Sequence, residues 1–258
     1  MPDKDYILAR IMLRAAVPLV KVLIEDDPKM REKYRGFNKI VQFEVKGDDD
    51  LITQLKFEDG IPKPIFERHE NPDLAFIFKS AKQINAFFAG KPAIPKIKGL
   101  TKIGILLKVV PLLLGLTLLL PTKLPKDPEK KSLKVKLLFY MLSSGLSQMN
   151  KAGYEEFNEF TKKMPDRVIQ WSCLPDGPYA YLRIKFGKTK AGRGLYTRRR
   201  PFIDMQFNGI DNAIKVLTNQ VDLVQAIADG YLAQEGSPEY GKDLGGFMLT
   251  IDAWIKQA

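Results

Sequence analysis

The period of apolar positions changes several times along the first half of the chain. Tyr6–Ile24 carries apolar residues on more than one side of a 3.6-residue repeat, which predicts a helix bent at Pro18. Asp26-Asp27-Pro28 closes it and caps a second piece, Pro28–Arg35. In Lys39–Lys46, Val41, Phe43 and Val45 alternate with Gln42, Glu44 and Lys46, the two-residue period of a half-buried strand. Thr53, Leu55 and Phe57 alternate after a Gly47-Asp-Asp-Asp turn and end at Glu58-Asp59-Gly60. A short strand is expected at Ile65-Phe66. Another is opened by Pro72-Asp73 and presents Leu74, Phe76 and Phe78 to one side. Ser80–Ala89 reads as a helix with Ser80 as its cap and Gly90 as its stop.

The pattern then disappears into Ile103–Leu120, the most apolar run of the chain. A membrane span needs ~20 residues, and this run is shorter and is interrupted by Lys108, Pro111 and Gly115. Two short helices are expected, Leu100–Val110 and Pro111–Leu120, in a soluble protein with no span. A helix that is apolar on every face must be covered on every face by protein, lipid or ligand.

The second half repeats the order of the first. Leu133–Ala152 and Tyr154–Lys163 read as helices. Ile169, Trp171 and Cys173 alternate in a strand, Pro175-Asp176-Gly177-Pro178 turns, and Leu182, Ile184 and Phe186 alternate again. Pro201 opens a strand with Ile203, Met205 and Phe207, and Asp211–Leu217 and Asp222–Ala233 read as helices. Val41/Phe43/Val45 map onto Ile169/Trp171/Cys173 at an offset of 128. Leu55/Phe57 and Leu74/Phe76/Phe78 map onto Ile184/Phe186 and Ile203/Met205/Phe207 at 129. The expected organisation is one domain over 1–120, a proline- and charge-rich linker over 121–131 and a second domain over 132–258.

The motifs in that order are Phe43-Glu-Val-Lys-Gly, Leu55-Lys-Phe-Glu-Asp-Gly, Asn71-Pro-Asp-Leu, Asn85-Ala-Phe-Phe-Ala-Gly-Lys and Lys96-Ile-Lys-Gly. In the second half they are Tyr181-Leu-Arg-Ile-Lys, Arg200-Pro-Phe-Ile, Phe207 and Ala228-Asp-Gly. Taken together they resemble the sterol carrier protein type 2 (sterol-transfer) family, in two tandem copies. The resemblance implies an α+β fold in each half: a mixed, mostly antiparallel five-stranded sheet covered by helices around an apolar tunnel that holds a lipid. Two departures accompany it. Leu100 stands where the family usually has an acidic residue, and Glu239-Tyr240-Gly241-Lys242 stands where the last strand of the second copy is expected.

Composition narrows the chemistry. Cys173 is the only cysteine and His69 the only histidine, so neither a disulfide framework nor a conventional zinc ligand set is available. One cysteine fits a reducing, cytoplasmic setting. His69 lies in a polar loop with no paired nucleophile, and Cys173 continues an apolar alternation, so neither is expected to be catalytic. Asp48-Asp49-Asp50 lacks calcium-loop spacing and reads as a solvated turn. No catalytic residue, metal or cofactor is expected.

The net charge of +11 is shared evenly between the halves, with 21 basic against 15 acidic residues in 1–125 and 20 against 15 in 126–258. Lys188, Lys190, Arg193, Arg198, Arg199 and Arg200 form a stretch with no acid, suited to an anionic membrane surface or another anion. No motif for reading nucleic acid accompanies it. The function expected is binding of a lipid or sterol-type ligand. Its walls are drawn from Trp171, Phe186, Met205, Phe207, Leu217, Phe247 and Met248 in the second half and Phe57, Phe76, Phe78, Phe88 and Leu113 in the first. The alternative is a membrane-associated structural or interaction protein anchored by its apolar helices.

Overall fold

A computed structural model describes residues 3–257. The chain divides into two compact units, one built on Asp3–Thr117 together with the last residues from Trp254, the other on Leu118–Ala253.

The N-terminal unit begins with helix α1 (Lys4–Ile11). It runs through a π-helical turn, Met12–Ala16, and a 3₁₀ turn, Val17–Leu19, into α2 (Val20–Asp26). The change of hydrogen-bond pattern has a local cause. The Val17 amide bonds back to the Met12 carbonyl and Pro18 has no amide to give. The Leu13 carbonyl thus loses its helical donor, and the Thr53 hydroxyl donates to it at 2.8 Å. Helix α3 (Pro28–Tyr34) follows, capped by the Asp27 carboxylate. The sheet comprises β1 (Ile40–Val45), β2 (Ile52–Glu58), β3 (Ile61–Ile65), β4 (Leu74–Phe78) and β5 (Lys96–Lys98), in the order β3-β2-β1-β4-β5. β1 and β4 are parallel; the other pairs are antiparallel. The third strand starts at Ile61, four residues before the expected Ile65-Phe66. Helix α4 (Ala81–Phe88) is capped by the Ser80 hydroxyl on the Gln83 amide.

The apolar run forms one helix, α5 (Ile103–Gly115), and a 3₁₀ turn over Leu116–Leu119, not two helices divided at Pro111. The carbonyl that Pro111 leaves without a donor is that of Leu107, on the exposed side of the helix, where solvent can take its place. The opposite side packs on α2, where Gly115 lets Leu23 approach so closely that a Cβ would lie 2.7 Å from its Cδ1. Among the described residues no helix is long and apolar enough to cross a membrane.

The C-terminal unit starts with α6 (Pro128–Lys151), capped by Asp127, so the helix begins inside the stretch read as linker. Then come α7 (Glu155–Lys162), β6 (Arg167–Leu174), β7 (Tyr179–Lys185), β8 (Lys188–Arg193), β9 (Ile203–Asn208), α8 (Ile210–Leu217), α9 (Leu223–Ala228), β10 (Leu232–Gly236) and α10 (Pro238–Gln257). The sheet order, β10-β9-β6-β7-β8, is that of the first sheet, with β6 and β9 parallel. Val41, Phe43 and Val45 stand opposite Leu74, Phe76 and Phe78. In the same way Ile169, Trp171 and Cys173 stand opposite Ile203, Met205 and Phe207.

Three expectations change. In the second strand of each sheet, Leu55 is opposite Val41 and Leu182 is opposite Ile169. The offset there is 182 − 55 = 127, because the connection from Ile169 to Leu182 is one residue shorter than that from Val41 to Leu55. Phe57 therefore corresponds to Ile184, and Phe186 falls in the β7–β8 turn. The last strand of the second copy lies before Pro238. Gly230 stops α9 with φ +68°, and Leu232–Gly236 pairs with β9. Gly236 is required there: at φ +101° a Cβ would lie 2.0 Å from the Phe202 carbonyl oxygen. The central strand of each sheet, β1 and β6, is also not half-buried. Gln42, Glu44, Gln170 and Ser172, on the second face of each sheet, are all buried.

Candidate functional site

Each sheet turns its large apolar residues to one face, and helices cover it. In the C-terminal unit Trp171, Met205 and Phe207 share that face with Ile169, Cys173, Leu182, Ile184 and Ile203, all buried. Helix α6 covers it, and Phe139 meets Phe207 with ring centres 5.3 Å apart. Phe247 on α10 packs 4.8 Å from Phe157 and 5.3 Å from Phe160 of α7, while Leu217 and Met248 are half-buried. Phe186 is not part of this wall. It has φ +46° in the hairpin turn and is 67% exposed.

The centre of this face holds an unusual polar atom. The Trp171 indole Nε1 is buried with no hydrogen-bond partner among the described residues. Leaving such a donor unmatched in an apolar interior costs ~1–3 kcal/mol. Two residues along β6, burial pushes the Cys173 thiol up to about 11.

The N-terminal unit divides its candidate residues among three places. Phe76 stacks on Phe43 at 4.9 Å in the middle of the sheet. Phe78 meets Phe87 at 5.4 Å, and Phe87 meets Phe88 at 5.3 Å, under α4. Phe57 meets Phe37 at 4.9 Å, and Phe37 meets Tyr34. The Tyr34 hydroxyl donates to the Lys108 carbonyl of α5, and burial pushes it up to about 12. Leu113 is half-buried on α5. Tyr34, Phe37 and Phe139 escaped the sequence reading because a loop and helix faces place them, not strand alternation. Asn85 escaped it too; its amide ties α4 to the Asp5 carbonyl at 2.9 Å.

The polar residues of interest have structural partners. Asp50 accepts from Tyr6, Arg10 and Arg14, so this part of the acidic turn clamps the first helix and is not merely solvated. Asp49, 91% exposed at its side chain, takes Arg68. The His69 amide donates to Gln42 Oε1, and its Nδ1 accepts from the Asn71 amide. No group of acidic, histidine or cysteine side chains suited to a metal occurs among the described residues.

The basic stretch is dispersed. Lys188 and Lys190 share one face of edge strand β8, while Arg193 points the other way and lies 5.0 Å from the Tyr140 ring. Arg198 is exposed in the crossover loop. Arg199 pairs with Asp166, which also takes Arg183 through two oxygens at 2.7 and 2.5 Å. These guanidinium groups hold the Asp166 carboxyl well below the usual carboxylate range. Arg200 pairs with Glu235. Arg199 and Arg200 line a cavity of about 390 Å³ with Asp166, Arg167, Phe202 and Ser237. This cavity has both charged and apolar walls, Val168 and Pro201 among the latter, and none of the apolar-face residues named above lines it.

No family model matches the chain, and no curated protein matches it. Solved structures that resemble it include the apo form of sterol carrier protein 2 from Yarrowia lipolytica, 14% identical over 41% of this chain and 89% of that one, with a TM-score of 0.32. Palmitated sterol carrier protein 2-like 2 from Aedes aegypti is 12% identical over 40% and 90%, with a TM-score of 0.28. A stereoselective inverting sec-alkylsulfatase from Pseudomonas sp. is 13% identical over 57% of this chain and 28% of that one, with a TM-score of 0.27. At such TM-scores it is the chain's own strand order and register, present twice, that define the fold. It is α+β, with two five-stranded mixed sheets, each covered by helices, in the sterol-carrier-like arrangement that the motifs implied.

Proposed function

We propose that the protein is a non-catalytic carrier that takes up one apolar molecule, a fatty acid or sterol, against the inner face of its C-terminal sheet. The observation that carries this reading is Trp171. Its indole N–H lies buried among aliphatic and aromatic side chains with nothing to receive it. A carboxylate or hydroxyl oxygen at the polar end of an otherwise apolar ligand supplies that acceptor. Met149 and Met205, both buried, give the wall flexible side chains that adapt to ligands of different shape. The equivalent face of the N-terminal unit, closed by the stacked Phe43 and Phe76, is the less suited of the two. One buried cysteine fits residence in the reducing cytoplasm.

The test is titration of the full chain with a fluorescent fatty acid and a fluorescent sterol. Saturable binding to one of them is expected. Trp171→Phe, which removes the donor and keeps most of the ring, should weaken it about tenfold, the equivalent of one lost hydrogen bond. Absence of saturable binding of either probe overturns the reading.

A further inference from the structure

Helix α5 is apolar on two opposite sides, and protein covers only one of them. With successive residues about 100° apart, Ile105, Val109, Leu112 and Leu116 fall together on one side and are buried. Ile103 (63% exposed), Leu107 (68%), Val110 (40%) and Leu114 (62%) fall together on the other and face outward. Leu100, 53% exposed in the turn before the helix, extends the row. A row of five large aliphatic side chains in one segment is not the scattered exposure that surfaces normally show.

The stretch of sequence that carries this row has charge of one sign. From Leu74 to Thr117 there is no acidic residue, and Lys79, Lys82, Lys91, Lys96, Lys98, Lys102 and Lys108 occur in the same segment. Lys102 is partly neutralised by Asp73 at 3.3 Å. Lys91, Lys96 and Lys98 are exposed, with no ion pair among the described residues. Lys96 and Lys98 are on edge strand β5, immediately before the row. An apolar row beside uncompensated lysines is the composition of a helix that lies in a membrane interface, its aliphatic side among the upper acyl chains and its cations against lipid phosphates.

We propose that this face of α5 docks the protein flat on an anionic phospholipid surface. The helix lies along the bilayer and does not cross it. The proposal stands independently of the carrier reading, since it concerns the outer side of α5 in the N-terminal unit and not the inner face of the C-terminal sheet.

The experiment is flotation of the full chain with vesicles of phosphatidylcholine containing 30 mol% phosphatidylserine, and with phosphatidylcholine alone. Binding to the anionic vesicles is expected, decreasing as salt is raised. The double variant Ile103→Asp/Leu107→Asp should reduce the apparent affinity at least about tenfold, because two aliphatic side chains no longer leave water. Both positions are exposed, so circular dichroism and the thermal midpoint should stay as in the parent. Lys96→Glu/Lys98→Glu should weaken binding to anionic vesicles and leave any binding to neutral ones unchanged. As a second measurement, an environment-sensitive dye on Leu107→Cys should shift to the blue on the anionic vesicles, with buried Cys173 left unlabelled. Vesicle binding unchanged in the aspartate variant overturns the proposal, as does no vesicle binding by the parent chain. Sedimentation equilibrium covers the remaining outcome: a parent dimer that the aspartate variant dissociates, without vesicle binding, would assign the row to a second copy of the chain. Titration with the fluorescent fatty acid in the aspartate variant should match the parent, which keeps a failure of docking distinct from a failure of the carrier reading.

Discussion

Gln42 and Gln170, 170 − 42 = 128 positions apart, do the same work in the two sheets. Each sits on the central strand, on the face turned away from the apolar core. Each amide oxygen accepts a backbone amide of the loop that crosses from the third strand to the fourth, His69 at 2.8 Å and Tyr196 at 2.9 Å. Each amide nitrogen donates to the side chain two residues on, Glu44 at 2.6 Å and Ser172 at 3.0 Å. The crossover loop thereby covers a face that alternation alone assigns to water.

Gln170→Leu should therefore destabilise the C-terminal unit by ~2 kcal/mol, because the Tyr196 amide loses its acceptor and Ser172 a donor in a buried setting. A shift of the urea midpoint with unchanged slope is the expected result; a neutral substitution would mean that the loop is held by other contacts.

Phe207→Ala should cost more, ~3–5 kcal/mol, since the ring is buried against Phe139 and its removal leaves a cavity. Calorimetric or denaturant unfolding decides this. A loss well under 1 kcal/mol would show that the ring borders space and is not closely packed.

Cys173 should resist aromatic disulfide reagents at pH 8 and react fully in urea. It is buried in β6 and its thiol is pushed up to about 11, so little thiolate forms and none is accessible. Rapid labelling of the native protein would show that the inner face opens to solvent.

Lys134 gives the C-terminal unit a pH dependence of definite sign. Its side chain is buried on α6, donates to the Leu118 and Leu120 carbonyls at 2.6 and 2.9 Å, and is lowered by burial from 10.5 to about 8. Between those values the unfolded chain binds more protons than the native one, so stability rises with pH from about 8 towards 10.5. Cys173, raised from 9.0 to about 11, acts oppositely above about 9, and Tyr154, pushed up to about 12, above about 10; at pH 9.5 the larger Lys134 shift, which starts from about 8, outweighs them. Urea midpoints at pH 7.5 and 9.5 should thus increase in the parent, and the increase should shrink in Lys134→Met. An equal increase in both proteins would assign it to other groups.

The sequence by itself determined the repeated order of elements, because strand alternation, proline-led strands and the Ser80 cap are local signals that physical chemistry reads within a few residues. It also determined the family resemblance and the apolar residues that face the core, Phe76, Trp171, Met205 and Phe207 among them. Tertiary structure decided what depends on pairing between distant segments. Register, set by a hairpin connection one residue shorter, put Ile184 on the inner face and Phe186 at an exposed turn. The crossover loops buried Gln42 and Gln170, whose partners in those loops, His69 and Tyr196, lie 27 and 26 residues away and leave no periodic trace. Pairing with β9 drew Leu232–Gly236 out of a helical pattern into a strand. The run Ile103–Leu120 shows the limit most clearly: its composition requires cover on every side, but only packing against α2 determines which side the protein itself supplies.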